Sequence, residues 1–473
     1  MFETAIRQLR MSLSMVQGKQ IDTRNIERLI HDAIKTLQEF GTPGDDAETL
    51  LEGPFVDPAS RQAFQNHLLQ GTARYLARFS PYYQQLFAAH AIDPEKLTVQ
   101  NMSSVPLTTK QEVREQPQQF ITANSRPCTA TPSTGTTGRP IEIWLSRYEI
   151  ELWSALAALS GLLRDEIRPE DCFQVNVSSR ATGAVQQNLA TCRLVGARTR
   201  ALGLVPPDES LDSLLDQKNT PTLLIIYPSY LAELVHAARR RGLGPDDFQL
   251  RRIVCGGEIL SEALKHAVQE TFGSEVSEGF GMTEVLPVSG RVCNQGHLHY
   301  DLSMGLIEVV DLQTHQPVAP GELGTVVITP YYPYRVCMPV FRHDTCDIVR
   351  RLPDEPLTCN LAAIPATSRI QGKAEHLLYS DGRVITPRDL IEVIEALPSQ
   401  PWPARYQVSR RNGHIELLLQ RQTLRDISVE EVEHRFRMVG IELQVTTSGA
   451  SCEQPLRPLR TDLLETTFAT RRM

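Results

Sequence analysis

Long hydrophobic runs are missing from this chain of 473 residues. No stretch approaches the ~20 consecutive apolar residues that a membrane-spanning helix needs. The N-terminal sequence MFETAIRQLR carries charges where a secretory signal would have an apolar core. We therefore expect no membrane partner and a cytoplasmic location.

The chain also has no excess of positive charge and no dense set of cysteines. The net charge is −8, and no basic stripe is present to neutralise phosphates, so we expect no nucleic-acid partner. The nine cysteines are odd in number and scattered, which is typical of reduced thiols rather than of a disulfide framework. A hydrophobic content of 41% and a charged content of 22% indicate a globular protein, and its length predicts two or three domains.

Hydroxyl groups and glycine are concentrated in one place, the sequence TPSTGTTGRP at Thr131–Pro140. Hydroxyls and unobstructed backbone N–H groups suit a phosphate chain, although the same residue types also form ordinary polar turns. The sequence IEIWLS follows and alternates as a strand does. A Walker-type loop would end in Gly-Lys-Ser/Thr and open a helix, so the pattern excludes a P-loop ATPase or kinase.

Beyond this loop, strand-like segments alternate with helical ones. TLLIIY (Thr222–Tyr227) precedes a helical pattern with Leu231, Leu234 and Val235 on one face, and RRIVCGGE precedes SEALKHAVQETF. This alternation predicts an α/β fold with a mainly parallel sheet covered by helices. The pattern becomes strand-rich after about residue 300, and a small α+β unit is expected from about residue 372.

Three segments are predicted along the chain: an N-terminal helical appendage at 1–60, a large domain at 61–371 and a small C-terminal domain at 372–473. Helical periodicity runs through Ile21–Phe40 and is broken by GTPGDD and then by GPFVDP. Because no motif falls in residues 1–60, we expect this segment to be dispensable for the chemistry.

Four further motifs follow the Gly-rich loop in order. They are VCGGE (Val254–Glu258), EGFGMTE (Glu278–Glu284), FRHDTCDIVR (Phe341–Arg350) and RIQGKAE (Arg369–Glu375). In this order and at this spacing, the five motifs resemble the adenylate-forming acyl-activating enzymes, in particular the phenylacetate–CoA ligases. The resemblance covers about residue 62 to the C-terminus, and it implies a large adenylation domain with a β-rich subdomain, followed by a small mobile α+β domain.

The resemblance also implies a role for each motif residue. The β- and γ-phosphates of ATP would be held by Ser133, Thr134, Gly135, Thr136, Thr137 and Gly138. The adenine pocket would be shaped by Gly256, Gly257, Glu258, Gly279, Phe280, Gly281 and Met282. Phe280 stands where the family usually has a tyrosine. Thr283 would contact the α-phosphate, Glu284 would bind Mg²⁺, and Asp347 would accept hydrogen bonds from the ribose.

The chain departs from the family near its hinge and its C-terminus. Lys373 replaces the usual arginine after Gly372, and Glu375 replaces the usual aspartate. The family's adenylation lysine lies near the C-terminus, yet no lysine follows Lys373. The sequence PLRPLR offers Arg460, or else Arg457, as the cation of the first half-reaction.

The same resemblance raises a zinc site at Cys293, His299 and Cys359 and leaves its presence undecided. Some relatives are similar in carrying Cys, His and a Cys-x-Cys pair there, but Leu357 occupies the first position of that pair. Cys346 or His297 could supply a fourth ligand, which structural zinc requires. Free cysteines are also common as plain core residues.

The resemblance implies ATP-dependent activation of a small carboxylic acid, aryl or heteroaryl, to an acyl-adenylate. The acyl group would then pass to a thiol such as that of CoA, with ATP and Mg²⁺ as cofactors. An amide- or ester-forming ligase with an amine or other acceptor, and a non-catalytic nucleotide-binding descendant, remain as alternatives. The resemblance leaves a homodimer open.

Overall fold

The structure is a computed structural model that describes residues 20–41, 57–132, 141–178, 182–353, 357–362, 364–380, 382–398, 402–411, 414–420 and 424–448. The predicted phosphate-binding residues Ser133–Gly138 and the tail arginines Arg457 and Arg460 lie outside these ranges. None of the helices within the ranges has the length and apolar content that crossing a bilayer requires.

Twelve α-helices lie within the described ranges. In chain order they are α1 (Thr23–Phe40), α2 (Pro58–Phe79), α3 (Pro81–Ala89), α4 (Lys110–Glu115), α5 (Pro117–Phe120), α6 (Arg147–Leu163), α7 (Thr182–Val195), α8 (Pro207–Leu214), α9 (Pro228–Arg240), α10 (Glu262–Phe272), α11 (Pro387–Glu395) and α12 (Val429–Met438). The helices predicted after Thr222–Tyr227 and after RRIVCGGE are confirmed as α9 and α10.

The strands of the large domain begin at the Gly-rich loop. They are β1 (Pro127–Pro132), β2 (Glu142–Ser146), β3 (Cys172–Asn176), β4 (Arg198–Ala201), β5 (Leu223–Ile226), β6 (Arg252–Gly256), β7 (Val276–Gly281), β8 (Ser289–Val292), β9 (His297–Tyr300), β10 (Gly305–Val310), β11 (Leu323–Pro330), β12 (His343–Arg350), β13 (Ala366–Ser368) and β14 (Gly372–Lys373). The C-terminal strands are β15 (Leu378–Ser380), β16 (Arg383–Ile385), β17 (Tyr406–Arg411), β18 (His414–Gln420) and β19 (Gln444–Ser448).

One eight-stranded sheet organises the large domain. Its order is β13-β9-β8-β7-β6-β5-β3-β4. Strands β4, β3, β5, β6 and β7 are parallel, and β8, β9 and β13 continue the sheet antiparallel. The predicted α/β fold is therefore confirmed, with the antiparallel extension added.

The other sheets account for the strand-rich second half of the chain. Strands β10-β11-β12-β14 form a four-stranded sheet whose adjacent strands are all antiparallel. Strands β1 and β2 form an antiparallel hairpin on either side of the Gly-rich loop. The C-terminal segment contains the pair β15-β16 and the sheet β17-β18-β19. The sequence predicted the α+β character of this segment.

The C-terminal segment has a hydrophobic core of its own. Leu390, Ile391 and Ile394 of α11 pack with the apolar faces of β17, β18 and α12, and Ile259 of the large domain joins the same cluster. A separate core supports the small domain, and Ile259 marks where the large domain touches it.

Helix α1 differs from the appendage that the sequence predicted. Its apolar residues recur on one face, and Ile26, Leu29 and Ile30 are at most 5% exposed. Asp22 accepts a hydrogen bond from Arg24 N and caps the helix. Because Ile26 and Ile30 belong to the main core beside residues of α6, α1 packs into the large domain and does not stand apart.

Candidate active site

The predicted adenine motifs lie side by side on neighbouring parallel strands. Gly256 at the end of β6 is paired with Gly279 of β7, and a Cβ at Gly256 would lie 3.0 Å from the Gly279 carbonyl oxygen. Gly257 follows with φ of +80°, where a Cβ would lie 3.2 Å from the Tyr227 ring. Glycine at 256 is therefore required by close backbone approach, and glycine at 257 by its left-handed conformation.

Phe280 lies on β7, next to this glycine pair. Its ring meets the Tyr300 ring edge-on, at a centroid distance of 5.7 Å and an interplanar angle of 78°. Phe280 and Met282 are partly buried and pack against the main core. The Phe280 side chain thus offers an aromatic surface at the carboxyl end of the parallel strands, which is where open α/β sheets bind ligands.

Glu258 has a structural contact that the resemblance did not imply. Its Oε2 accepts a hydrogen bond of 2.8 Å from Ser229 N, in the first turn of α9. The first N–H groups of a helix have no partner within the helix, and a carboxylate there is favoured by the helix dipole. Glu258 therefore stabilises the start of α9.

Glu284 lies in a 3₁₀ turn, Thr283–Val285, directly after β7. Its side chain is 3% exposed. Among the residues that the structure describes, none forms a hydrogen bond or an ion pair with its carboxylate. A buried carboxylate is normally paired or bound to a metal. The Glu284 carboxylate is therefore suited to bind a cation.

Asp347 and Lys373 form a buried ion pair at the junction with the C-terminal segment. They face each other across β12 and β14, and Lys373 Nζ lies 2.8 Å from Asp347 Oδ1 and 3.3 Å from the Thr345 carbonyl oxygen. Burial alone would lower the pKa of Lys373, but the charges of Asp347 and Glu284 outweigh it and raise that pKa. The ammonium group is therefore held charged, chiefly by Asp347.

Two titratable residues follow close after Lys373, the partly exposed Glu375 and the buried His376. Burial raises the pKa of the Glu375 carboxyl against the opposing effect of Lys110 and Lys373. Burial and the charge of Lys373 lower the pKa of His376 to about 4. His376 is accordingly neutral near pH 7 beside the charged Lys373.

The structure contains a buried pair that we did not predict from the sequence. Glu149 and Arg335 are both 0% exposed, with Arg335 Nε 3.7 Å from Glu149 Oε1. The same carboxylate accepts hydrogen bonds from Ser146, Val336 and Cys337. The pattern Ser146-x-x-Glu149 is a capping box for α6, and that signal in the sequence could have identified Glu149 as structural.

A possible set of metal ligands lies at the antiparallel end of the large sheet. Ligand atoms of Cys293, His297, His299 and Cys359 all lie within 4.8 Å of one another. Cys293 follows β8, and the two histidines occupy alternate positions of β9, so their side chains share a face. The fourth residue is His297, and Cys346, the other candidate, is not a member of the cluster.

The two histidines of this cluster differ in the partners of their ring nitrogens. His299 Nδ1 lies 2.9 Å from the Ile364 carbonyl oxygen, and His299 Nε2 lies 3.3 Å from Cys359 Sγ. A carbonyl partner on one ring nitrogen leaves the other as an acceptor toward a metal. His297 Nδ1 is buried without a hydrogen-bond partner, as a ligand nitrogen would be.

Comparison with known proteins gives relatives that cover most of this chain. The phenylacetate–coenzyme A ligase of Thermus thermophilus is 26% identical over 393 residues, which are 81% of this chain and 84% of that protein. The phenylacetate–coenzyme A ligase of Escherichia coli is 24% identical over 412 residues, covering 81% of this chain and 90% of that protein.

A solved structure supports the fold over a similar range. The structure of 2-hydroxyisobutyryl-CoA ligase in the postadenylation state, in complex with 2-HIB-AMP, superposes with a TM-score of 0.73. It covers 87% of this chain and 90% of that one, at 20% sequence identity. The adenylation-domain fold implied by the five motifs is therefore confirmed.

The family assignment comes from the segment that carries most of the nucleotide motifs. Residues 83–332 match the AMP-binding enzyme family. This segment is more than half of the chain and includes the Gly-rich loop, the two glycine motifs and Glu284. The chain belongs to the AMP-binding enzyme family.

Proposed function

We propose that the protein is an ATP-dependent acid–CoA ligase. The carboxylate of the acid attacks the α-phosphorus of ATP, the bond to pyrophosphate breaks, and an acyl-adenylate forms. The thiol of CoA then attacks the acyl carbon, giving the thioester and AMP. Family membership and the names of the relatives that match over most of the chain support this assignment.

The partnerless carboxylate of Glu284 is the observation that carries the proposal. It is buried, it follows the adenine strand directly, and Lys373 and Arg335 lie within its electrostatic reach. Mg²⁺ prefers charged oxygen ligands, and neutralising the triphosphate is the chemistry that the metal would supply. In this proposal Glu284 binds Mg²⁺ and Thr283 contacts the α-phosphate.

The remaining nucleotide contacts follow from the same arrangement. Asp347 Oδ1 is held by Lys373, and Oδ2 accepts no hydrogen bond from a described residue, so it suits a ribose hydroxyl. The Phe280 ring and the Gly256–Gly257 turn would enclose the adenine. The phosphates would lie against Ser133–Gly138, which follow β1 in the sequence.

An aryl acid is our proposed substrate class. The two relatives named above are phenylacetate ligases, and the partly buried ring of Phe280 gives an aromatic surface beside the proposed adenine site. A branched hydroxy acid is the competing class, because it is the acid of the solved 2-hydroxyisobutyryl-CoA ligase.

Acid-dependent exchange of labelled pyrophosphate into ATP tests this proposal. Phenylacetate, benzoate and heteroaryl acids should support exchange, and 2-hydroxyisobutyrate should support it weakly. Mass analysis of the products with CoA and with amines then identifies the acceptor, since an amide product would replace the acid–thiol ligase by an amide-forming one. If none of a broad set of acids supports exchange, the non-catalytic alternative is favoured.

We propose further that Arg460 supplies the cation that brings the acid carboxylate to the α-phosphate. The chain has no lysine after Lys373, and a guanidinium can contact a carboxylate and a phosphate at once. Arg460→Ala should slow adenylate formation and leave transfer from a preformed adenylate unchanged, with Arg457→Ala as the matched control. Adenylate formation at the parent rate in both variants would show that neither arginine serves this step.

We also propose that Cys293, His297, His299 and Cys359 hold a structural zinc ion. Two thiolates and two imidazoles form a closed tetrahedral ligand set. His297 supplies the fourth ligand, because Leu357 stands where a relative's cysteine would supply a thiolate. Metal analysis of the purified protein should find about one zinc per chain. Cys359→Ser should lose that zinc, whereas the exposed thiol variant Cys128→Ser should keep it. A wild-type protein without zinc, prepared in buffers containing zinc, would contradict the site.

A further inference from the structure

Glu278 lies on the strand that carries the proposed adenine contacts. It immediately precedes Gly279 in β7 and is 9% exposed. Side chains alternate along a strand, so Glu278 and Phe280 lie on the same face of β7. The carboxylate of Glu278 is therefore close, along the backbone, to the surface proposed to bind adenine.

Two buried arginines hold this carboxylate. Arg369 Nε lies 2.8 Å and Arg369 Nη2 2.6 Å from Glu278 Oε2. Arg388 Nη2 lies 3.3 Å from Glu278 Oε1. Both arginine side chains are less than a tenth exposed, so water screens these charges little.

The two arginines belong to different parts of the chain. Arg369 precedes β14 and also binds Glu262 and the Leu260 carbonyl oxygen. Arg388 is the second residue of α11, whose apolar face lies in the small-domain core. Arg388 is thus a direct link from the small domain to β7.

Other contacts of α11 reach a different element of the large domain. Glu392 Oε2 accepts a hydrogen bond of 3.0 Å from Glu262 N, and Glu395 Oε2 accepts one from Ser261 Oγ. Both partners lie at the start of α10. Among the described polar contacts of α11, the one that reaches β7 is that between Arg388 and Glu278.

We propose that Glu278 is a positioning residue that couples docking of the small domain to nucleotide binding on β7. This inference rests on the proposed nucleotide site. When α11 is docked, Arg388 and Arg369 together fix the Glu278 carboxylate and the strand that bears it. When Arg388 withdraws with α11, the buried Glu278 carboxylate loses part of the positive charge that compensates it. Strand β7 then loses one of the contacts that fix it beside Phe280.

Linkage makes this coupling reciprocal. If docking raises the affinity for a nucleotide by some factor, the nucleotide favours docking by the same factor. AMP is a suitable probe, since it would occupy the adenine and ribose contacts and needs neither the acid nor the phosphate loop. Two measurements are therefore required, AMP affinity by calorimetry and protection of α11 amides by hydrogen exchange.

Arg388→Met is the principal variant, because it keeps an unbranched side chain and removes the charge. We expect it to weaken AMP binding about tenfold, and we expect AMP to protect α11 amides in the wild type but not in this variant. Glu278→Gln should weaken AMP binding similarly, and the double variant should lose little more, as coupled residues do. Arg435→Met is the matched control, because it removes an exposed ion pair with Glu431 on α12 of the same domain, and it should bind AMP as the wild type does.

Two results would overturn the coupling. One is wild-type AMP affinity in Arg388→Met with a lowered unfolding midpoint, which would make the arginine purely structural. The other is full additivity of the two single-variant losses. If Arg388→Met does not fold, Glu278→Gln alone carries the test, and wild-type AMP affinity in that folded variant would also count against the coupling. Failure of the wild type to bind AMP would be a different result, because it removes the proposed nucleotide site itself.

Discussion

The two carboxylates proposed for the nucleotide site differ in how their charges are compensated. Asp347 is paired with Lys373 at 2.8 Å, whereas Glu284 has no partner among the described residues. An unpaired buried carboxylate is costly unless a cation binds it. This contrast supports our proposal that Glu284 binds the metal and Asp347 the uncharged ribose.

Replacing Glu284 by glutamine tests whether its carboxylate binds the metal. The amide keeps the shape of the side chain and removes the charge that a hard cation prefers. We expect acid-dependent pyrophosphate exchange to fall by at least ~100-fold, because a bound metal contributes several kcal/mol to such a step. The thermal unfolding midpoint should change little, since no described residue forms a hydrogen bond or an ion pair with the wild-type carboxylate, and Lys373 and Arg335 act on it only through longer-range electrostatics. Unchanged exchange in this variant would disprove the assignment of Glu284.

Asp347→Ala tests the proposed contact between Asp347 and the ribose. Loss of a charge-assisted hydrogen bond costs about 1.5–3 kcal/mol, so KM for ATP should rise roughly 10–100-fold while KM for the acid changes little. Asp344→Asn is the matched control, because Asp344 lies on the same strand and its Oδ1 serves Thr325 and Cys346. Equal increases in both KM values would place Asp347 away from the ribose.

Sequence motifs predicted these two residues, but the pairings between motifs required the structure. The order of the motifs was enough to single out Glu284 and Asp347. The pair of Asp347 with Lys373 depends on the register of β12 against β14, and the proposed ligand role of His297 depends on its approach to Cys359. Both depend on contacts between segments that are distant in sequence.

At the level of elements, α1 shows that a helix can be predicted while its place in the fold is missed. The apolar positions of Ile21–Phe40 indicated a helix, and Thr23–Phe40 is one. Breaks such as GTPGDD suggested a separate unit, yet Ile26 and Ile30 are 0% and 1% exposed within the main core. Periodicity reveals which face of a helix is apolar, but not the surface that will cover it.

Ile26→Ala should therefore destabilise the large domain. Removing a buried isoleucine side chain to alanine costs about 2–5 kcal/mol, and alanine favours helix, so the loss would come from packing. Chemical denaturation followed by tryptophan fluorescence measures the effect, with the exposed Lys35→Ala on the same helix as the control. A midpoint equal to the wild type would restore the view of residues 1–60 as an appendage, and deletion of that segment would then be tolerated.

At the level of the whole molecule, the main polar contacts between the small and large domains are buried. Arg388 and Arg369 share Glu278, and Glu395 meets Ser261 in a fully covered contact. The sequence did not predict these contacts, because each partner alone resembles an ordinary surface charge. Buried charges that depend on one another make docking sensitive to the ionisation of any member.

Glu395 is the member whose ionisation changes near neutral pH. Burial raises the pKa of its carboxyl to about 8, with Ser261 opposing and Glu392 adding to the shift. One oxygen meets Ser261 and the other, Oε1, is buried without a partner, while Tyr406 of the small domain lies within its electrostatic reach. The pKa is above that of an unfolded glutamate, so the protonated form of Glu395 stabilises the docked α11. This contribution is fully present below about pH 4.5 and is lost as pH rises through about 8.

The test is to compare the wild type with Glu395→Gln, which keeps a hydrogen-bonding group opposite Ser261 and does not titrate. Hydrogen exchange of the Ile391 and Ile394 amides, corrected for intrinsic rates, gives the free energy of opening of α11 at each pH. Relative to the variant, the wild-type value should fall by up to ~1.4 kcal/mol per pH unit between about pH 5 and 8, the slope for one proton. Carboxylates elsewhere affect both proteins alike and cancel in the difference. If the two pH profiles run parallel, Glu395 is ionised in the docked protein, and a cation rather than Ser261 must be compensating its charge.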